Sequence, residues 1–242
     1  MPGGWRLERH ESLPSTMDRA RALAEAGERG DLVVWAGQQT AGRGRQGRSW
    51  VSPPGNLYAT LLLRPAGPPA AAARLGFAAG LALADAASAW IAPERVTLKW
   101  PNDLMLDGAK AAGILLEASG RAERVDWLMI GSGVNLASHP EGLDYPVASF
   151  AGAGAAVTPG ELLQSYVKFF DIYRNLLMAQ GFSPLRHAWM KRAQGLGQRM
   201  TARLPGASHS GIFRDLDEDG ALVLEEGPGR RRRITAAEVY FG

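Results

Sequence analysis

Apolar residues recur at two spacings along this chain, and the switches between them lay out its elements. Trp5 to His10 alternates apolar and polar positions as a short strand does, and Leu32 to Ala36 is a continuous apolar run suited to a buried strand. Asn56 to Arg64, Arg95 to Trp100, Ala111 to Glu117 and Asp126 to Asn135 read as further strands. Asp107-Gly108 closes a hairpin after Leu104-Met105-Leu106. Helical spacing covers four stretches: Arg19 to Ala26 after a capping-box-like Ser15…Asp18, an Ala-rich segment from about Ala70 to Ile91, Pro159 to about Gln180, and Pro184 to Ala193. Ala137 to Thr158 reads as loop.

The texture changes at Gly197. Short strands at Arg199 to Leu204, Ser208 to Asp215, Ala221 to Glu225 and Arg231 to Thr235 are separated by Pro-Gly, Asp-Gly and Pro-Gly turns. That pattern predicts a small β-barrel, and so a division into residues 1–194 and 195–242. The earlier strands are joined partly by hairpins and partly by helices. The main domain is therefore expected to be α/β (α+β), a mixed and largely antiparallel sheet flanked by helices.

Composition narrows the chemistry. With no cysteine, disulfides, thiolate nucleophiles and zinc-thiolate sites are excluded, and a reducing cytosol is compatible. His10, His139, His187 and His209 are scattered without metal-ligand spacing. The start, Met-Pro-Gly-Gly-Trp-Arg, has no apolar signal region. The longest apolar stretch, Leu75 to Ile91, contains Asp85 and much Ala and Gly, which suits a buried helix better than a bilayer span. A cytoplasmic protein with no membrane partner is expected. Net charge is only +3, and seven of the cations sit in two places, Arg43, Arg45 and Arg48 and the run Arg230 to Arg233. That run reads as a solvated strand edge, with nucleic-acid contact as the alternative. Lysine is rare: Lys99, Lys110, Lys168 and Lys191 are all there are.

Candidate chemistry gathers in Gln38 to Trp50, where three glycines alternate with three arginines directly after a strand. Glycine lets backbone approach a ligand, and arginine offers a planar cationic fork for carboxylate or phosphate. Gly42, Gly44 and Gly47 formally match a dinucleotide fingerprint. However, Pro53-Pro54-Gly55 forbids the helix that fingerprint needs, and no acidic residue follows at the right distance. Lys99-Trp100-Pro101-Asn102-Asp103 ends a strand, where Asn102 and Asp103 can bond the turn or face a ligand. Ser15 and Thr16 can cap a helix and also present hydroxyls to a site. Gly131-Ser132-Gly133-Val134-Asn135 ends a strand in small residues that permit close approach.

In that order, Gln39 to Trp50, Lys99 to Leu104, Lys110 to Glu117 and Gly131 to Asn135 resemble biotin protein ligase, with Ser15-Thr16 in the place of that family's early Ser-Thr pair. The resemblance spans nearly the whole chain. It implies a class II synthetase/biotin ligase-like sheet with an SH3-like C-terminal barrel. It also implies ATP-dependent attachment of biotin, through biotinyl-5′-AMP, to a lysine of a biotin carboxyl carrier protein or carboxylase domain. By the resemblance Ser15, Thr16, Met17, Gln39, Gly42, Arg43, Gly44, Arg45, Lys110 and Gly113 hold biotin. Arg43, Arg45, Arg48, Trp50, Lys99, Asn102, Lys110 and Asn135 hold the adenylate. Arg45, Lys110 and Asp103 are the implied catalytic residues, with Asp103 as the candidate for accepting or orienting the incoming lysine, whose amine must be neutral to attack. Met17 stands where many members carry Asn, a departure that removes one polar contact.

ATP, biotin and Mg²⁺ are the implied small molecules, the metal riding mainly on phosphates because no carboxylate cluster is visible to hold it. Repressor members carry a helix-turn-helix domain ahead of this core. Too few residues precede Ser15 to hold one, so a short form without a specific DNA partner is expected, as a monomer or homodimer. The alternatives are a lipoate- or octanoate-protein ligase on a similar fold, a non-catalytic adenylate- or nucleic-acid-binding protein, and last a nicotinamide oxidoreductase.

Overall fold

The computed structural model describes residue 1, residues 4–235 and residues 237–241. Pro2, Gly3, Ala236 and Gly242, on which the N-terminal and tail-domain expectations partly fall, lie outside the described residues. The first strand, β1 (Arg6–Leu13), is followed by helix α1 (Thr16–Glu25) and strands β2 (Leu32–Gln39) and β3 (Leu57–Leu63). Helices α2 (Pro69–Ala73) and α3 (Leu75–Ala87) lead to β4 (Val96–Lys99), β5 (Asp103–Leu106), β6 (Ala109–Arg121) and β7 (Arg124–Val134). These form a seven-stranded sheet of order β1-β2-β3-β7-β6-β5-β4. Only β1 and β2 pair in parallel, so the sheet is mixed and largely antiparallel as expected. The β5–β6 turn follows its sequence signal: Asp107 and Gly108 both have positive φ, at 49° and 81°.

β3 explains why the sheet is covered on both sides. Each of its seven positions is buried, so alternation cannot leave one face wet. Leu57, Ala59, Leu61 and Leu63 join the large core with α3, while Leu62 joins Met17, Ala20 and Ala24 beneath α1. Burying one such leucine contributes about 2 kcal/mol.

The Ala-rich stretch starts where expected but differs in its interior and at its far end. It breaks at Arg74 into α2 and α3, and α3 stops at Ala87, where the Ser88 hydroxyl donates to the Ala84 carbonyl at 2.8 Å. From Pro69 to Ala87 this stretch is long and apolar enough to cross a membrane by composition, but it packs within the core. Helix α4 (Pro159–Gln180) starts as its sequence predicts. The Thr158 hydroxyl accepts from the Glu161 N–H, the Glu161 carboxylate accepts from the Thr158 N–H, and Pro159 fills the first turn. The Ser15 start makes only half of such a box. Its hydroxyl accepts from the Met17 N–H at 3.2 Å, while Asp18 turns outward to Arg43. The next helix, α5 (Ser183–Met190), ends three residues before its expected limit.

The tail folds into an antiparallel sheet of β8 (Arg199–Leu204), β9 (Ala207–Leu216), β10 (Leu222–Gly227), β11 (Arg230–Ile234) and β12 (Glu238–Phe241), in the order β11-β10-β9-β8-β12. Four of these strands were legible as elements; β12 was not. The arginine run forms edge strand β11, where Arg230 and Arg232 pair with Glu226 and Arg233 with Asp217 and Asp219. Its charge is largely compensated within the tail.

One buried amide governs how the 137–158 segment meets the sheet. Asn56, 1% exposed, accepts from the backbone N–H groups of Leu136, Ala137 and Ser138 at 2.8, 2.9 and 3.2 Å and donates to the Ser138 carbonyl at 3.0 Å. The segment then runs beside Lys110, whose N–H donates to Pro146 and whose carbonyl accepts from Ala148, both at 2.9 Å. Truncating Asn56 removes the partner of the buried Leu136 N–H and of the N–H groups of the more exposed Ala137 and Ser138. Asn56→Ala is expected to lower the unfolding free energy by about 3 kcal/mol, read by urea denaturation.

Candidate active site

A cavity of about 420 Å³ opens between the glycine-arginine loop, the ends of β4 to β7, the 137–158 segment and β12. One end of it is polar and fixed by a relay of hydrogen bonds. The Thr60 hydroxyl donates to Thr16 at 2.9 Å, and Thr16 donates to the Gln39 carbonyl oxygen from its N–H at 2.8 Å and its hydroxyl at 3.1 Å. The Gln39 amide then donates to Ser52 at 3.1 Å, and Ser52 donates to the Trp50 carbonyl at 2.9 Å. Because β2 continues through Gln39, the first residue of the motif sits on a strand.

The loop itself is a small hairpin. Arg43 pairs opposite Ser49, the Gly44 N–H donates to the Arg48 carbonyl at 2.7 Å, and the Trp50 N–H donates to the Gly42 carbonyl at 2.9 Å. A Cβ at position 42 would lie 2.4 Å from the Trp50 carbonyl oxygen, so the crossing admits glycine alone. The Trp50 indole rests on two more glycines. A Cβ at Gly133 would come within 2.5 Å of its Nε1 and one at Gly113 within 3.2 Å of its ring. That Nε1 is buried and makes no hydrogen bond.

Five cations face this cavity, held by groups from several elements. Arg43 lies 2.7 Å from Asp18 and 3.5 Å from Glu117, and Arg48 lies 2.6 Å from Glu238. Arg45 donates to Asn102 at 3.2 Å and to the Ala237 carbonyl at 3.4 Å, while Asn102 donates to the Ile114 carbonyl at 2.6 Å. Lys110 forms a 2.8 Å ion pair with Asp103, an approach off the hydrogen-bonding angles of that carboxylate oxygen. Lys99 lies opposite Asp103 across the β4–β5 pair and 5.8 Å from the Tyr240 ring centre. Burial pushes the Lys99 ammonium below its ordinary range, Asp103 opposes that shift, and Lys110 adds to it. Burial also lowers Arg45, against the charges of Asp103 and Glu238. Asp103 is thus the shared counter-charge of three cations.

Ser15, Thr16, Met17, Gln39, Arg43, Gly44, Arg45, Arg48, Trp50, Lys99, Asn102, Asp103, Lys110 and Gly113 all line the cavity. Gly42 and Asn135 do not. Gly42 lies behind the wall, and the Asn135 side chain donates to the Ala148 carbonyl at 3.1 Å, so it braces the 137–158 segment. Sequence reasoning missed Glu238, Val239 and Tyr240 on β12, and Asp144, Tyr145 and Pro146 in the segment read only as loop. The β-forming run Val239-Tyr240-Phe241 was the one signal for the former. Among the described residues no group of three or more His, Asp or Glu is arranged to hold a metal ion.

The Arg48–Glu238 pair ties the loop to the tail, and its pH dependence has a definite sign. Desolvation pushes the Glu238 carboxyl up, but the Tyr240 hydroxyl, Arg48 and Arg45 outweigh it and leave the group below its ordinary 4.5. A depressed folded pKa stabilises fully above the unfolded value and is lost as pH falls through the folded one. The difference in melting temperature between the protein and Glu238→Gln is therefore expected to hold down to about pH 4.5 and to shrink at lower pH.

The Biotin/lipoate A/B protein ligase family model matches residues 10–135, and the Biotin protein ligase C terminal domain model matches residues 195–242. The biotin–[acetyl-CoA-carboxylase] ligase of Paracoccus denitrificans is 46% identical over 235 residues, 94% of this chain and 97% of that protein. The Aquifex aeolicus biotin protein ligase in complex with biotin and ATP shares the fold at a TM-score of 0.81 and 24% identity, over 98% of this chain and 99% of the other. The Leishmania major enzyme in complex with biotinyl-5-AMP matches at a TM-score of 0.67 and 27% identity, over 96% and 99%. Family models at both ends and a relative similar along almost its whole length agree with the motifs that meet in the cavity: this chain belongs to the biotin protein ligase family.

Proposed function

We propose that this protein activates biotin with ATP and transfers it to a lysine of a biotin carboxyl carrier protein or carboxylase domain. The observation that carries the reading is the ring of Arg43, Arg45, Arg48, Lys99 and Lys110 around one cavity with a polar end at Thr16 and Gln39. In the first step a biotin carboxylate oxygen attacks the α-phosphorus of ATP, the bond to the β-phosphate breaks, and pyrophosphate leaves. Both reactants are anions, so fixed cations lower the repulsion of the encounter and stabilise charge in the transition state. Lys110, a compact charge already oriented by Asp103, suits the reacting oxygens, and the arginine forks suit carboxylate and phosphate.

In the second step the neutral ε-amine of the acceptor lysine attacks the acyl carbon, the bond to AMP breaks, and the amine gives up a proton. Asp103 is our candidate for orienting that amine and taking the proton. The loop suits a cover that keeps water from the mixed anhydride. Asn135 acts indirectly, through the backbone segment it braces, and residues 195–242 act as a small domain that contributes Glu238 and Tyr240. Mg²⁺ enters with ATP, where it neutralises phosphate oxygens; the described residues fit it only as that companion. We place the reaction in the cytoplasm, in keeping with a chain that has no cysteine.

Pyrophosphate release from ATP and Mg²⁺ is expected with biotin and not with lipoate, and Lys110→Ala or Arg45→Ala should each reduce it about a hundredfold or more. Asp103→Asn should slow transfer to the carrier more than it slows pyrophosphate release. Release with lipoate alone would keep the fold and overturn the substrate.

A further inference from the structure

We propose that Asp18 and Glu117 are positioning residues for Arg43, holding its guanidinium at the cavity wall so that the biotin carboxylate meets a cation already aimed; this rests on the ligase reading above. Arg43 stands between Gly42 and Gly44, so the backbone beside it restrains its long side chain little. Two rigid elements supply that restraint. Asp18, in the first turn of α1, lies 2.7 Å from Arg43 Nη2, and Glu117, on β6, lies 3.5 Å from the same nitrogen. Asp18 is two residues beyond Thr16, the residue that fixes Gln39. The helix end that builds the polar pocket therefore also aims the arginine.

A second arginine completes the arrangement. Arg21 is hydrogen-bonded to Glu117 and lies 3.7 Å from Asp18, one turn along the same helix. Two carboxylates acting on Arg43 alone would overcompensate it and repel an incoming carboxylate. With Arg21 included, two acids face two bases, so Arg43 is held in direction while the cluster carries no net negative charge. Arg43 lines the cavity, whereas Asp18, Arg21 and Glu117 do not, so any effect of theirs on the substrate passes through Arg43.

The test is steady-state pyrophosphate release on the full chain with biotin varied, for Asp18→Asn, Glu117→Gln, Arg43→Ala and the two double variants with Arg43→Ala. Each carboxylate variant is expected to raise KM for biotin about fivefold to tenfold, with kcat within about twofold and KM for ATP unmoved; in the Arg43→Ala background neither adds anything further. Both carboxylates are solvent-accessible, and melting temperatures measured alongside separate a folding defect from a positioning one. A KM for biotin within about twofold of the parent in both single variants would overturn the proposal. So would an effect that persists at full size without Arg43, since that marks a purely structural role. A parent protein that releases no pyrophosphate with biotin sinks the ligase reading itself, and the proposal with it. An active parent with unmoved variants sinks the positioning claim alone.

Discussion

Five positive side chains crowded around one small cavity repel each other, and the rest of the structure answers that constraint. Two like charges about 4 Å apart cost roughly 4 kcal/mol at the dielectric of a protein surface. The counter-charges come from far apart in the chain: Asp18 from α1, Asp103 from β5, Glu117 from β6 and Glu238 from β12. No single hairpin or helix could bring them together. The site exists only when the sheet, the first helix and the tail are all in place, which accounts for a C-terminal sheet whose last strand forms a wall of the cavity.

The same crowding explains the distribution of rigidity. Gln39 and Asp103 lie on strands, and Lys110 is clamped at its backbone by Pro146 and Ala148. The arginines, by contrast, ride on a glycine hairpin held by a few backbone hydrogen bonds and by side-chain ion pairs at its edges. Such a loop can admit anionic substrates and still hold its cations in direction. Trp50 anchors one end of the loop. Its indole fits only because positions 113 and 133 carry no side chain, and that packing couples the loop to β6 and β7.

Much of this was legible in the sequence because it rests on local chemistry. The Pro159 start of α4, the Asp107-Gly108 turn and the alternating glycines and arginines each speak through residues close in the chain. The break at Arg74 was invisible because alanine suits a helix on either side of it. β12 was missed because four residues with no following turn carry little signal, and its partner β8 lies more than thirty positions earlier. Glu238 and Tyr240 were lost with it. Asn135 is expected from its motif to help hold the adenylate; that its amide also donates to Ala148 depends on the long loop and cannot be read from spacing. The Asn56 clamp was hidden for the same reason.

On the proposed function, a cavity ringed by five cations with one polar end is complementary to the mixed anhydride rather than to biotin alone. Calorimetric titration with a hydrolysis-resistant analogue of biotinyl-5′-AMP, beside biotin and AMP separately, tests this most directly. The analogue is expected to bind at least about a hundredfold more tightly than biotin, and Arg48→Ala and Lys99→Ala are each expected to erode that advantage. An analogue that binds no more tightly than biotin would contradict it.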